Sequence, residues 1–514
     1  MKAVTAEKMR DIDFVTINER KVESTILMEK AGSAVYNFII KNVKDINKKK
    51  VLIVAGSGNN GGDALVTARL LLAHDITVRV FITGMPEKLS KDNSINYNFL
   101  LKIGIKPEFI NSPKDLHDLE EAVKDSDLII DGIFGTGLNK TVKGIYLKVI
   151  EIIIKYDKEV VSVDMPSGIC ADTGRILGNA VMADYTVTFG LPKMGHFLSD
   201  GLLHRGKLAI ENIGFTKDLL SDEKIKNNMI DSVMVKKLLP VRPQDAHKGS
   251  CGKVLVIGGS AGYTGAPLLS AIAALRSGAG LAGICVPSEL NASFEAQSME
   301  VITHPVKSRG GHFSVKAFNE IKNISKNYDV ILIGPGIGRH PEVIKLTGKI
   351  IKEINLPKVV DADALYALAA LKSVKNRSGW VLTPHPLEFA RLLKKKVEHI
   401  NTKLLEYIKK AAKDYNAVIV YKKHCSIICN EDRLYFNDTG NNALATAGSG
   451  DVLSGMTAAF MAQGLNSEEA SVLSVYLHGA CADKYIKDND ALSMLAGDII
   501  NLLGKVIKKT RDIK

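Results

Sequence analysis

The segment Asn441 to Gly455, NNALATAGSGDVLSG, sets one carboxylate between glycines at the head of an apolar run. The backbone N–H groups of Gly448, Ser449 and Gly450 can turn toward a phosphate, and a helix that starts there adds the positive end of its dipole. Asp451 is then placed to take a proton from an attacking hydroxyl. The same residues also suit an ordinary capped helix, with Ser449 or Asp451 satisfying free amides. Taken alone, the segment does not choose between the two.

A second constellation lies near the other end of the chain. GSGNNGGDA, Gly56 to Ala64, stands between the strand-like VLIVA and the helix-like DALVTARLLLA. A glycine loop at such a junction is a weak sign of phosphate binding by itself. This one carries Asn59, Asn60 and Asp63 where small or apolar residues would suffice for a dinucleotide loop. Two further strand ends add polar groups: Asp131 with the loop GTGLNKT, and Asp164 with Ser167 in VDMPSG. In a parallel sheet these three loops share one edge, so oxygens of Asn60, Asp131 and Ser167 can surround a hard cation while Asp164 faces a substrate. Turn chemistry explains any one of these loops, since Asn, Asp, Ser and Gly are common in turns. Three that converge favour a site.

The elements that must position these residues follow from periodicity. A helical pattern runs from about Thr5 to Phe38, interrupted near Lys21 to Ser24. From Val51 onward short apolar strands alternate with helices: VLIVAG, VRVFITG, DLIIDGIFG, EVVSVDMPSG and DYTVTFG each end in a glycine or polar loop. A second series starts with KVLVIGGS at Lys253 and continues through LAGICVP, DVILIGPGIG, KVVDADAL, WVLTPHP and AVIVYKK to two closing helices after Gly450. At 514 residues the chain is too long for one ordinary core. The two series share no repeat, so the reading is α/β throughout: a Rossmann-like doubly wound domain over residues 1–220 and a different α/β domain over 228–514.

Composition bounds the rest. Charged residues make up 24% and hydrophobic residues 46%, ordinary globular values, and the apolar runs are too short to span a bilayer. The opening MKAVTAEKMRDID lacks an apolar secretory core, and six scattered cysteines without redox or zinc spacing read as reduced thiols, so a cytoplasmic location is expected. A net charge of +12 is spread over single lysines and short runs, and aromatics are only 6%, which argues against a nucleic-acid partner. His385 and His478 stand without a second ligand at metal spacing and are read as hydrogen-bonding residues.

VTAEKMRDID, ILMEKAGSAV, GSGNNGGDALVTARLL, DGIFGTGL and VDMPSGICADTG together resemble the NAD(P)H-hydrate epimerase family over roughly the first 215 residues. The resemblance implies that Asn59, Asn60, Gly61, Gly62 and Asp63, with Gly135, Thr136, Gly137, Leu138, Asn139, Lys140 and Thr141, hold the substrate. It implies a potassium ion at Asn60, Asp131 and Ser167, with Asp164 as the substrate-facing acid. Ala64 stands where that family usually has glycine and is expected to crowd the loop slightly.

The run from RPQDAHKGSCGK to SGAGL, then GPGIG, DADAL, TPHPLEFARLL and the Asp451 loop, resembles the ADP- or ATP-dependent NAD(P)H-hydrate dehydratase family, whose fold is ribokinase-like. That implies Asp451 as the base, and substrate contacts at Ala266, Gly336, Thr383, Pro384, His385, Pro386, Leu387 and Glu388. Nucleotide contacts are implied at Lys422, Lys423, His424, Cys425 and Ser426, and at Asn441, Asn442, Ala443, Leu444, Ala445, Thr446, Ala447, Gly448, Ser449 and Gly450, with Mg²⁺ accompanying the nucleotide. Lys423 and Ala447 replace usual glycines, so strain in the Lys422 to Ser426 turn is expected. Both resemblances in one chain point to the bifunctional repair family, with small-molecule substrates and a homo-oligomer. A sugar or vitamin kinase is the nearest rival, because ribokinase-like kinases use the same loop and base. A non-catalytic binding protein and a nicotinamide dehydrogenase are more distant ones.

Overall fold

In the computed structural model, residues 1–371 and 379–513 are described. The chain divides into two compact units, Met1–Asn227 and Asn228–Lys514.

The first unit opens with the helix Ala6–Phe14, whose Thr5 hydroxyl accepts from the Lys8 amide at 3.1 Å, and continues into a wider turn at Val15–Glu19. Lys21 adopts a left-handed φ of 58° and breaks the helix, which resumes as Ser24–Asn42. Seven strands follow: β1 (Val51–Gly56), β2 (Val78–Thr83), β3 (Glu108–Ile110), β4 (Leu128–Gly132), β5 (Glu159–Val163), β6 (Tyr185–Phe189) and β7 (Lys207–Glu211). They form one sheet in the order β3-β2-β1-β4-β5-β6-β7, every pair parallel. Burial on both faces explains why β1 reads as an unbroken apolar run. Val51, Ile53 and Ala55 join the core on one face, while Leu52 and Val54 join the core on the other, the period of two expected of a strand. The strand order reverses between β1 and β4, and the crevice outside their carboxyl ends is where ligands bind in such sheets.

The second unit holds β8 (Asn227–Ile230), β9 (Lys253–Ile257), β10 (Leu281–Pro287), β11 (Ile302–Val306), a small hairpin of β12 (Ser308–Arg309) and β13 (His312–Phe313), then β14 (Val330–Ile333), β15 (Lys358–Val360), β16 (Trp380–Leu382), β17 (Val418–Tyr421), β18 (Ile427–Asn430) and β19 (Arg433–Asn437). Its main sheet has ten strands in the order β11-β10-β9-β14-β15-β16-β17-β18-β19-β8. The strands from β11 to β17 run parallel, and β18 and β19 return antiparallel. The switch point here lies between β9 and β14.

Helices Gly265–Arg276 and Ser449–Ala462 pack over this sheet on small residues. Their backbones approach so closely that a β-carbon on Gly455 would fall 2.1 Å from the Ser270 carbonyl oxygen. That contact fixes the start of the second helix, and with it Asp451. Among the described residues no helix is long and apolar enough to cross a membrane.

Candidate active sites

Outside the carboxyl ends of β1, β4 and β6 lies a cavity of about 560 Å³. Asn59, Asn60, Asp63, Gly135, Thr136, Gly137, Leu138 and Asp164 line it. Of the other expected contacts, Gly61 and Gly62 are buried in the first turn of the helix Asn59–Leu72, while Asn139, Lys140 and Thr141 stand exposed beyond the lining. Ala64 does not crowd the loop: it is fully buried and fits against Gly132, where an added β-carbon would come within 2.5 Å of its methyl.

Asp164 directly follows β5 and holds a left-handed φ of 64°. Its Oδ1 accepts from Lys193 Nζ at 2.5 Å and from Thr188 Oγ1 at 2.9 Å, and its Oδ2 from the Thr136 amide at 3.3 Å. Burial alone would raise this carboxyl, but the adjacent Lys193 ammonium outweighs it and holds the group below its ordinary value. Lys193 is itself 1% exposed, and its ammonium also donates to Thr188 Oγ1 and the Phe189 carbonyl. His196 completes the arrangement. Its Nδ1 accepts from the Lys193 amide at 3.1 Å, so Nε2 carries the proton and donates to the Asp164 carbonyl at 3.0 Å. Burial lowers this imidazole to about 3, which keeps it neutral.

Behind the cavity Asp131, fully buried at the end of β4, accepts from Ser162 Oγ at 2.8 Å, from the Ser167 amide at 2.8 Å, from Ser167 Oγ at 2.5 Å and from the Ile133 amide at 3.3 Å. The Phe134 amide donates to Ser167 Oγ at 2.9 Å. Asn60 lies close by: its buried Nδ2 has no hydrogen-bond partner among the described residues, and a β-carbon on Gly135 would lie 2.8 Å from its Oδ1.

In the second unit Gly448, at φ 87°, turns the chain into the helix Ser449–Ala462, and Asp451 stands in its first turn. Ser449 Oγ donates to the Leu444 carbonyl at 2.9 Å, and His478 Nε2 donates to the Ser449 carbonyl at 2.9 Å. Burial lowers His478 to about 4, consistent with a neutral donor. At the other end of the same loop, Asp483 accepts from the Gly440 amide at 3.0 Å and from Asn441 Nδ2 at 2.9 Å, and the Asn441 Oδ1 caps the turn at Ala443. Ala443 is buried; Asn442, Ala445 and Ala447 are exposed, and Thr446 half-buried.

Strand ends bring the remaining groups to this loop. Lys422, at the end of β17, donates its amide to the Pro384 carbonyl after β16 at 2.9 Å and its ammonium to Asp361, after β15, at 2.7 Å. A β-carbon on Gly450 would lie 3.4 Å from Lys422 Nζ, so the ammonium sits beside the turn that starts the helix Ser449–Ala462. Burial pushes Asp451 up to about 7, with the Asp361 carboxylate adding to the rise and Lys422 opposing it. Burial likewise pushes Glu388 up to about 7. His385 and Glu388 cap the helix Pro386–Leu393 reciprocally, the Glu388 carboxylate accepting the His385 amide at 2.9 Å and the His385 ring accepting the Leu387 and Glu388 amides. Thr383 is buried under this turn and Leu387 is exposed. Gly336, at φ 59°, approaches Ala266, its would-be β-carbon 3.3 Å from that methyl.

The strain expected of Lys423 is absent: it does not adopt a positive φ, nor does Ala447, and the turn after β17 is made with Lys423 and His424 exposed, Cys425 buried and Ser426 Oγ reaching the Lys423 carbonyl at 3.4 Å. Sequence reasoning missed Lys193, His196, Asp361 and Asp483. FGLPKMGHF directly follows the last quoted strand of the first series, at the sheet edge already singled out, and that was the available signal for the first two.

Comparison with known proteins matches this division. A family model described as YjeF-related protein N-terminus matches residues 24–195, and one described as NAD(P)H-hydrate dehydratase matches residues 254–505. The bifunctional NAD(P)H-hydrate repair enzyme of Moorella thermoacetica is 37% identical over 100% of this chain and 98% of its own length. That of Thermofilum pendens is 34% identical over 100% of this chain and 97% of its own. A crystal structure of a ribokinase-like superfamily protein from Enterococcus faecalis, 25% identical, covers 56% of this chain and 98% of its own with a TM-score of 0.50. The chain therefore belongs to the bifunctional NAD(P)H-hydrate repair enzyme family.

Proposed function

We propose that the first unit interconverts the R and S epimers of NADH or NADPH hydrated at C6, and that the second unit dehydrates the S epimer with ADP or ATP. The observation that carries this reading is the pair of proton-handling carboxylates, Asp164 and Asp451, each in its own site, in a chain related end to end to repair enzymes.

In the second unit the 6-hydroxyl of the substrate loses its proton to Asp451 as its oxygen attacks the terminal phosphoryl group. The amides of Ala447 to Gly450 and the Lys422 ammonium receive the developing charge. A carboxyl near 7 is well matched to that task at neutral pH. The ring nitrogen then expels phosphate, and loss of the C5 proton restores the dihydronicotinamide. Ala266, Gly336 and the Thr383 to Glu388 turn border the substrate in this reading; Lys422 to Ser426 and Asn441 to Gly450 border the nucleotide. Mg²⁺ carried with the nucleotide would supply phosphate charge neutralisation, held chiefly by the nucleotide's own phosphates, since the described residues include no cluster of three metal-ligating side chains.

In the first unit the substrate enters between the Asn59 to Asp63 loop and the Gly135 to Leu138 loop, with Asp164 facing C6. The donor set behind the cavity suits potassium: Asn60, Asp131 and Ser167 offer oxygens and a single carboxylate. Bound there, potassium anchors the loops that receive the substrate's pyrophosphate. Rubidium soaking with anomalous diffraction tests it: a peak within ligand distance of Asn60 and Asp131 is expected, and none at high salt removes the ion from the account.

The decisive assay supplies pure R and pure S epimer with ADP or ATP and Mg²⁺ and follows the returning absorbance of reduced nicotinamide. The S epimer should give NAD(P)H and inorganic phosphate directly, and the R epimer only through the first unit. A stable phosphoester product would make the second unit a kinase instead.

A further inference from the structure

The N-terminal helix Ala6–Phe14 sends Asp13 into the first unit's cavity, alongside Arg10, Asp63, Asp92, Asp164 and Lys193. Asp13 is half-buried, and its carboxyl makes no hydrogen bond or ion pair among the described residues, whereas Asp164 is fixed by Lys193, Thr188 and the Thr136 amide. A partly desolvated carboxyl left free on the wall of a reaction cavity has no structural work to do there. Its surroundings oppose those of Asp164. Burial raises it to about 6, the Lys193 charge offsets this only in part, and the Asp164 carboxylate adds to the rise. Around Lys193 one carboxyl, Asp164, is held ionised, while Asp13, like Asp63, is held toward its protonated form, and such a division is how a site assigns an acid and a base.

Resting on the epimerase reading of this unit, we propose that Asp13 is the proton donor to the departing C6 oxygen during epimerisation. The C6–O bond breaks as the ring nitrogen lone pair forms a C6=N1 iminium, and the Asp13 proton leaves with the oxygen as water. Water then adds to the opposite face of C6 and releases a proton to Asp164, and exchange of that proton with solvent returns it to Asp13 before the next turnover, so hydration, protonation and redox state are unchanged overall. The reverse reaction exchanges the two roles.

The test compares wild type, Asp13→Asn and Asp13→Glu in the full-length protein, given pure R and pure S epimer, with epimerisation measured above the rate without enzyme. The wild-type kcat of epimerisation should fall above about pH 6; Asp13→Asn should lower that kcat by about 100-fold, remove the alkaline limb, and leave dehydration of the S epimer and the binding of NADPH to the first unit within about threefold. Asp13→Glu should restore part of the rate together with the limb. Near wild-type kcat in Asp13→Asn, or a loss confined to KM, would overturn the role of Asp13 while leaving the unit an epimerase. A wild-type protein that does not interconvert the epimers would overturn both.

Discussion

Asp164, buried beside a buried lysine, and Asp451, half-buried near a half-buried one, are set oppositely by their two sites. Lys193 spends its charge directly on Asp164, at 2.5 Å, and keeps that carboxylate ionised. Lys422 spends its charge on Asp361, at 2.7 Å, and only partly opposes the burial that, with the Asp361 and Glu388 carboxyls adding to it, pushes Asp451 up to about 7. The lesson is that the lysine's partner, rather than its mere presence, helps decide which carboxyl is held below its ordinary proton affinity and which is left above it.

The largest effect should come from removing the acceptor. Asp451→Asn is expected to lower dehydration of the S epimer by at least about 100-fold while epimerisation of R to S, followed by chromatography, continues at the wild-type rate. Near wild-type dehydration would remove Asp451 from the chemistry. Next is Lys193→Met, which strands a buried carboxylate. It should destabilise the first unit by about 3–5 kcal/mol in chemical denaturation, and Lys193→Met with Asp164→Asn should recover much of that. If the double variant is no more stable than the single, the ion pair is not what holds the loop.

A smaller change follows from the comparison itself. Asp361→Asn frees Lys422 to approach Asp451 and removes a repelling carboxylate, so the acid limb of the kcat/KM profile for dehydration should move below its wild-type position near pH 7. Rates should converge at pH 8. An unmoved or upward-shifted limb would show that Asp361 does not govern Asp451.

The smallest effect concerns stability. His478 is depressed from 6.5 to about 4 when folded, so its contribution is fully present above pH 6.5 and is lost as pH falls toward 4. The slope from one such group reaches about 1.4 kcal/mol per pH unit. His478→Gln should flatten that part of the second unit's stability curve, measured by denaturant titration at several pH values. An identical slope in the variant would assign the acid sensitivity to other groups.

Much of this was legible because strand ends carry the chemistry in parallel sheets: the loops after β1, β4 and β5, and the GSGD helix start, were readable as glycine and carboxylate patterns. Lys193 and His196 were not, because one buried lysine in a chain rich in surface lysines has no mark in sequence; only the fold puts its ammonium against Asp164. Asp361 lay in a quoted motif, DADAL, but its pairing spans 61 residues to Lys422 and depends on β15 and β17 flanking β16. The expectation of strain at Lys423 failed for a local reason: this turn closes with ordinary backbone angles, so no glycine is required.

His478 and Asp483 belong to one helix, Ser467–Tyr485, and between them hold both ends of the loop from Gly440 to Ser449. The loop is thus tied down at two points to a single rigid body before any nucleotide arrives. Its amides need little ordering on binding, which favours a rapid, single-phase encounter over one followed by slow rearrangement. Loosening a tie remote from the phosphates, as in Asp483→Ala, should therefore appear in the time course of nucleotide association as an added slow phase.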